Sequence, residues 1–324
     1  MSAPRASAGE DVPADVERLE RCLACGGRSL RPLALAYVHE DRRYPLVECG
    51  ICGMRFLDPR PSPASLARFY DAAYFESDFR CGRSRAAASD DAAFEEENRG
   101  LLDAFAALGG PGKPRLLDVG CATGGLLAAA IARGWQAEGV ELSADAAGQA
   151  RARGLTVFQG DLIAAHLPDG RFDLVYMGDV LEHVPDCRAV VEEVARILRP
   201  GGRFYLRGPI TTHSLARSLA LAVARATGRT LTLNEVPYHL WEFTPGPLVR
   251  LVERAGLRVE RLRQSKIPPG HAHGRKTAFE RAGMALLDTL NLPLTTAFNA
   301  RGDRVVLVAR KPSGGPAPRA APPR

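Results

Sequence analysis

The sequence predicts an α/β fold: a mostly parallel sheet with helices on both faces, preceded by a small cysteine-bearing module. Three observations predict it. Between residues 112 and 311, short apolar runs alternate with helix-like stretches at the lengths of βαβ units. The first such run, Arg115–Val119, passes directly into a glycine turn, Gly120-Cys121-Ala122-Thr123-Gly124-Gly125, and then into an alanine-rich segment. Ahead of it stand two Cys-x-x-Cys-Gly turns, at Cys22–Gly26 and Cys49–Gly53.

Composition bounds the possibilities. A chain of 324 residues holds one α/β domain of ordinary size plus a small accessory module, and 46% hydrophobic residues suffice for a core. No apolar run approaches the roughly 20 residues of a membrane span. Met1–Glu10 lacks an apolar signal segment, so the sequence reads as cytoplasmic. The net charge is +6, but the basic residues are nearly all Arg and are dispersed among 37 acids. That dispersal argues against a nucleic-acid partner.

In chain order, residues 1–20 are Ala-, Pro- and charge-rich and read as a disordered N-terminus. Residues 21–57 form the cysteine module. Cys22, Cys25, Cys49 and Cys52 have the spacing of two knuckles of a zinc ribbon: two intervening residues let both thiolates of a pair reach one tetrahedral metal, and the following glycine permits the tight turn. The competing readings are two disulfides or unpaired buried thiols. The expected metal is a structural Zn2+ with a closed shell, so no metal catalysis is expected there. Leu33–Val38 and Tyr44–Glu48 read as the strands between the knuckles. Cys81, Cys121 and Cys187 are isolated and read as small packed residues. Residues 58–111 read as a helical linker. Ser62 caps a helix beginning at Pro63, and Phe69, Tyr70, Tyr74 and Phe75 share its packing face. Residues 80–90 read as a loop, and a helix over 92–108 ends at Gly109-Gly110.

The remainder, residues 112–311, reads as the main domain. Strands are expected at 115–119, 136–141, 155–159, 172–177 and 203–209, with helices at 124–133, 144–153 and 186–198 between them. Asp118 directs a negative charge into the glycine turn, and Ala122 stands where the dinucleotide pattern G-x-G-x-x-G has its second glycine. Both favour a cationic ligand over a pyrophosphate. Glu141, at the end of the second strand and some twenty residues beyond the turn, is placed to accept hydrogen bonds from both hydroxyls of a ribose. Asp118, Glu141, Asp161 and Asp179 all fall at carboxyl ends of expected strands, where ligands of parallel sheets bind.

Leu116-Leu117-Asp118-Val119-Gly120-Cys121-Ala122-Thr123-Gly124 closely resembles the first motif of class I S-adenosylmethionine-dependent methyltransferases. Gly178-Asp179-Val180-Leu181-Glu182-His183-Val184-Pro185-Asp186 resembles the fourth-strand motif of their small-molecule branch, including the quinone-biosynthesis enzymes. It is unlike the Asp/Asn-Pro-Pro-aromatic stretch of nucleic-acid amino methyltransferases. The resemblance implies a Rossmann-like, seven-stranded, mostly parallel sheet. It also implies S-adenosyl-L-methionine as cofactor, contacted by Asp118, Gly120, Cys121, Ala122, Gly124, Glu141, Leu142, Gly160, Asp161, Leu162, Gly178 and Asp179. Asp161 resembles the acid that holds the adenine amino group, although it also suits a helix N-cap. By the same resemblance, the helices ahead of the first strand are a candidate lid.

Residues 210–241 are longer than an ordinary crossover and read as a cap over the acceptor pocket. Within them, a helix over 214–229 is expected to present Leu215, Leu219, Ala222 and Ala226 on one face. His239-Leu240-Trp241-Glu242-Phe243-Thr244 resembles the stretch that opens the penultimate helix of this branch. Helix 245–256, strand 257–264, a helix over 277–290 and a last strand over 304–310 follow; the tail from Pro312 reads as disordered. Removal of an acceptor proton requires a base, and His183 and His239 are the candidates, ahead of His213. His271 and His273 lie in a Gly/Pro loop and are not candidates.

The expected function is methyl transfer from S-adenosylmethionine to a small-molecule acceptor: a sugar, a polyketide, a phenol or another secondary metabolite, through oxygen or carbon. The zinc-ribbon start resembles sugar C-methyltransferases, which carry a further C-terminal α/β domain for which this length leaves no room. The alternatives are a lipid or quinone methyltransferase at a membrane surface, a NAD(P)-dependent oxidoreductase, and a catalytically idle zinc-ribbon interaction protein. The oligomeric state is left open, a dimer included.

Overall fold

The cysteine turns frame an antiparallel sheet. In the computed structural model, which describes residues 15–69, 91–108, 113–266, 289 and 291–314, the chain opens with β1 (Val16–Glu17), followed by β2 (Leu30–His39), β3 (Arg42–Cys49), β4 (Arg55–Leu57) and β5 (Arg60–Pro61). β2, β3 and β4 pair antiparallel in succession, and β5 pairs with β1. Leu33, Leu35 and Tyr37 are buried at alternate positions of β2, as are Tyr44 and Leu46 of β3, because side chains of a strand point alternately to its two faces. The strands are longer than the turns and alternation predicted. Helix α1 (Pro63–Phe69) follows, with the Ser65 amide bonded to the Ser62 hydroxyl, and then α2 (Asp91–Ala107).

The main domain carries the second sheet. Its elements are β6 (Arg115–Val119), α3 (Gly125–Ala132), β7 (Gln136–Glu141), α4 (Ala144–Ala152), β8 (Val157–Gln159), β9 (Phe172–Gly178), α5 (Cys187–Ile197) and β10 (Leu198–Pro209). After α6 (Leu215–Ala226), β11 (Leu231–Leu233), β12 (Trp241–Glu242) and α7 (Pro245–Arg254) come β13 (Arg258–Ser265), a helix over 291–298 and β14 (Arg304–Arg310). Seven strands align in the order β13-β14-β10-β9-β6-β7-β8. The pairs from β8 to β10 are parallel, and β14 runs antiparallel to both β10 and β13. The central strands are apolar because helices cover both faces. Val190, Val191, Val194 and Ile197 of α5 and Leu248, Leu251 and Val252 of α7 are buried in the larger core cluster; Leu126, Leu127 and Ala130 of α3 are buried in a second one. α5 begins on Asp186, whose carboxylate accepts the Arg188 and Ala189 amides at 3.0 Å.

The segment between β10 and α7 differs most from expectation. It does not stand alone as a cap. β11 adds in parallel to β2, and β12 adds antiparallel to β4, so the cysteine-bearing sheet has the order β11-β2-β3-β4-β12. A single core cluster runs from Cys22, Leu35 and Phe56 through Trp241 to Val191, Leu206 and Leu248. The face of α6 is also corrected. Leu221 and Ala224 are buried, whereas Leu219, Ala222 and Ala226 are exposed. With Leu or Ala at most of its positions, α6 offers several apolar stripes, and its packing on β2 and β11 selects one.

The expectations for Tyr70, Tyr74, Phe75, Cys81, the 80–90 loop, His271, His273, nearly all of the 277–290 helix and the chain termini lie outside the described residues. Among the described residues, no helix is long and apolar enough to cross a membrane.

Candidate active site

The glycine turn sits between two strand ends and is shaped by close packing. Gly120, at φ +77°, accepts no side chain: an added Cβ would lie 2.4 Å from Val180 Cγ2, in the segment that follows β9. The Gly120 and Cys121 amides bond to Val140 O at 2.8 and 3.2 Å, which ties the turn to the adjacent strand. Ala122 adopts φ +48°, and its amide donates to Glu141 Oε2 at 2.9 Å; Ser143 N donates to Glu141 Oε1 at 2.8 Å. Glu141 is thus buried and oriented by two backbone donors, as a carboxylate must be if it is to stay charged there.

Asp118 lies one strand away and is 4% exposed. Burial pushes its carboxyl up to about 7, and the Glu141 charge adds to the push. Two buried acids side by side form a site prepared for positive charge or for several hydroxyl and ammonium donors. That arrangement fits S-adenosylmethionine, whose α-ammonium and sulfonium groups are cationic and whose ribose donates two hydroxyls. Cys121 is buried in the turn, and burial pushes its thiol up, so it is a packed residue rather than a thiolate.

The other expected cofactor residues divide. Leu142, beside Glu141, is 61% exposed, and Gly160 (φ +145°) follows β8. Leu162 is buried. Asp161 is exposed, and its Oδ1 accepts the Ala164 amide at 2.8 Å, the capping role weighed beside adenine binding. Asp179 carries an ion pair: Arg304 Nη2 of β14 lies 2.7 and 2.6 Å from its two oxygens, and Arg207 Nη2 of β10 lies 4.0 Å away. Arg207 also donates to Glu97 of α2 at 2.9 Å, which fastens that helix to the sheet.

Across the carboxyl ends, the segment after β9 meets the segment before β12. His183 and His239, predicted from separate stretches, come together edge to face with ring centroids 4.9 Å apart. His183 Nδ1 lies 3.0 Å from Tyr238 O, Trp241 N donates to Glu182 O at 3.1 Å, and Trp241 Nε1 donates to Val184 O at 2.7 Å. His213 is half-buried in the turn before α6, and burial holds its imidazole below the usual value.

Three site residues escaped the sequence reading. Glu182 is 1% exposed; burial and then the Asp179 charge push its carboxyl up to about 7, against the pull of His239, and its Oε1 lies 3.7 Å from His183 Nε2. Its place beside His183 was the available signal. Glu242 is buried and accepts from Tyr37 Oη at 2.5 Å and from Thr211 Oγ1 at 3.2 Å. Tyr37 comes from the cysteine-bearing sheet, 205 residues away in sequence, and no local pattern announces it.

The four cysteines converge at the far end of that sheet. Their sulfurs lie within 4.8 Å of one another, with Cys22 Sγ 3.7 Å from Cys52 Sγ and Cys25 Sγ 3.6 Å from Cys49 Sγ. A tetrahedral zinc with bonds of about 2.3 Å requires sulfurs about 3.8 Å apart, whereas a disulfide requires about 2.05 Å. Gly27 N donates to Cys25 Sγ at 3.3 Å, and the knuckle glycines Gly26 and Gly53 take φ +77° and +70°. The set fits a structural Zn2+ held by Cys22, Cys25, Cys49 and Cys52. Glu182, His183 and His239 also bring ligand-type atoms within 4.8 Å of one another.

Comparison with known proteins yields consistent matches. A family model described as a methyltransferase domain matches residues 91–262. A ubiquinone biosynthesis O-methyltransferase of Xanthomonas oryzae pv. oryzae is 35% identical over 155 residues, covering 45% of this chain and 63% of the relative. The protein of the same name from Thiobacillus denitrificans is 36% identical over 162 residues, covering 46% and 66%. The chain thus spans just under two thirds of these relatives' lengths. A crystal structure of an S-adenosylmethionine-dependent methyltransferase from Archaeoglobus fulgidus superposes with a TM-score of 0.50 at 18% identity, covering 74% of this chain and all of that one, a likeness of fold.

Proposed function

This chain belongs to the family of S-adenosylmethionine-dependent methyltransferases described by the methyltransferase-domain model, and from that premise we propose that it methylates a small-molecule acceptor, at an oxygen, at the carboxyl ends of β6 to β10. The observation that carries the reading is the pair of buried acids, Asp118 and Glu141, on adjacent strand ends around the Gly120–Gly124 turn. In this reading Asp118 attracts the ammonium of the cofactor's amino-acid end and Glu141 accepts from its ribose hydroxyls. S-adenosylmethionine supplies an activated methyl group, so the protein's task is to align the acceptor, exclude water and take a proton. His183 and His239 stand where the segments after β9 and before β12 converge, and one of them takes the proton of an acceptor hydroxyl. The relatives named for O-methylation support oxygen over carbon. The cysteine cluster holds a structural zinc with no open position.

The test is calorimetry with S-adenosylmethionine and, separately, NAD(P)H, followed by transfer of labelled methyl to a panel of phenols, catechols and sugars. Binding of S-adenosylmethionine alone and labelling of a hydroxylated small molecule are expected. Preference for NAD(P)H would remove the cofactor assignment, and labelling at carbon would remove the oxygen.

A further inference from the structure

Glu242 is a buried, anchored acid that the methyl-transfer reading leaves without a task. Its carboxylate is 4% exposed and takes Tyr37 Oη on one oxygen and Thr211 Oγ1 on the other. On the same oxygen as Tyr37 it faces His239 Nδ1 at 3.9 Å, an ion-pair distance. Burial alone would raise this carboxyl, but His239, Tyr37 and Arg217 outweigh it and hold it below its usual value. A buried, charged carboxylate beside one imidazole nitrogen favours the tautomer that carries its proton there. The arrangement is costly to leave unused, since each such group must be desolvated to sit there.

Tyr37 supplies the connection to the rest of the fold. It lies on β2, in register with Tyr44 of β3, and β3 ends on the metal-type ligand Cys49. β12, which carries Glu242, pairs with β4 of the same sheet through Trp241 opposite Phe56 and Glu242 opposite Arg55. The Phe56 and Trp241 rings are 5.4 Å apart, both buried. Both halves of the Tyr37–Glu242 contact are therefore held by one sheet, the sheet that the cysteine cluster closes.

We propose that Tyr37 and Glu242 are positioning residues for His239: Tyr37 fixes the Glu242 carboxylate, and the carboxylate fixes the proton of His239 on Nδ1. The cysteine-bearing sheet is then a structural part of the acceptor side. The inference rests on the methyl-transfer reading only for the use to which His239 is put.

The test reads the ring itself. Full-length protein labelled with 15N-histidine is compared with Tyr37→Phe and Glu242→Gln by long-range 1H–15N correlation as pH is raised until the ring signals stop shifting; His239→Gln assigns the signal. The unmutated protein is expected to show His239 as the Nδ1–H tautomer. Both variants are expected to shift it toward Nε2–H while their affinity for S-adenosylmethionine, measured by calorimetry, stays within about twofold. An unchanged tautomer in both variants overturns the proposal. So does a parallel loss of cofactor affinity in Tyr37→Phe, which would mark Tyr37 as a support of the whole fold. If the unmutated protein binds no S-adenosylmethionine, the cofactor assignment fails while the tautomer comparison still decides this one.

Discussion

Replacing Asp118 with Asn should strengthen the fold at alkaline pH and weaken cofactor binding, and both effects follow from the raised carboxyl of Asp118. The Asp118 carboxyl is held at about 7 instead of 3.8. Its folded value is raised, so the folded state holds the proton more tightly than the unfolded chain. The group's contribution to stability is then greatest below the unfolded value and is lost as pH rises through the folded one. Between pH 5 and pH 8 the loss amounts to about 2–3 kcal/mol, from roughly 1.4 kcal/mol per pH unit up to the folded value and none beyond it. Asn has nearly the same shape and no charge. The stability gap between Asp118→Asn and the unmutated protein, measured by urea unfolding, should therefore widen in favour of the variant by about that amount from pH 5 to pH 8. A cation that binds beside Asp118 must find it ionised. Affinity for S-adenosylmethionine should rise about tenfold per pH unit from pH 5 toward 7 and then level off, with proton release below 7. The variant should lose at least about 1.5–3 kcal/mol of binding, the usual worth of a charge-assisted contact. A pH-independent stability gap would refute the burial argument, and near-normal affinity in the variant would refute the placement of the cofactor.

Other perturbations separate the remaining claims. Asp179→Asn should leave affinity for S-adenosylmethionine within about threefold, because the carboxylate is occupied by Arg304, and should lower stability by about 1 kcal/mol or less, as expected for a partly exposed pair; a large loss of affinity in calorimetry would return Asp179 to the cofactor. Cys52→Ser should lower the zinc-to-protein ratio in elemental analysis and weaken the near-ultraviolet dichroism to which Trp241, packed on Phe56 of the same sheet, contributes; an unchanged ratio would remove the zinc assignment. Trp241→Ala should destabilise by about 3–5 kcal/mol in urea, since it empties a fully buried position and strands Val184 O without its donor. Gly120→Ala should cost about 2 kcal/mol or more, from a positive φ and a Cβ 2.4 Å from Val180 Cγ2; a neutral result would show that the segment after β9 yields.

Local rules made much of this molecule legible in its sequence. A strand that ends at Val119 and a turn that needs positive φ at Gly120 and Gly124 are decided within a few residues, by alternation and by sterics. The acids at strand ends could be read because a parallel sheet exposes all its carboxyl ends on one edge, so each strand boundary is also a statement about the site. The cysteine set was readable for the same reason: tetrahedral coordination imposes the short spacing within each knuckle.

What lay beyond the sequence was every decision made between distant segments. Whether Asp179 faces a ligand or Arg304 depends on which neighbours arrive at distances that no local spacing encodes. The buried stripe of α6 was undetermined while Leu and Ala lined most of its turns, and docking on β2 and β11 chose it. The union of residues 231–242 with the cysteine-bearing sheet, and with it the meeting of Tyr37, Glu242 and His239, arises from edge pairing of strands. Backbone pairing is nearly independent of side chains, so the sequence by itself determined the strands, the turn and the metal spacing, while only the tertiary structure decided which edges joined and which buried charges met.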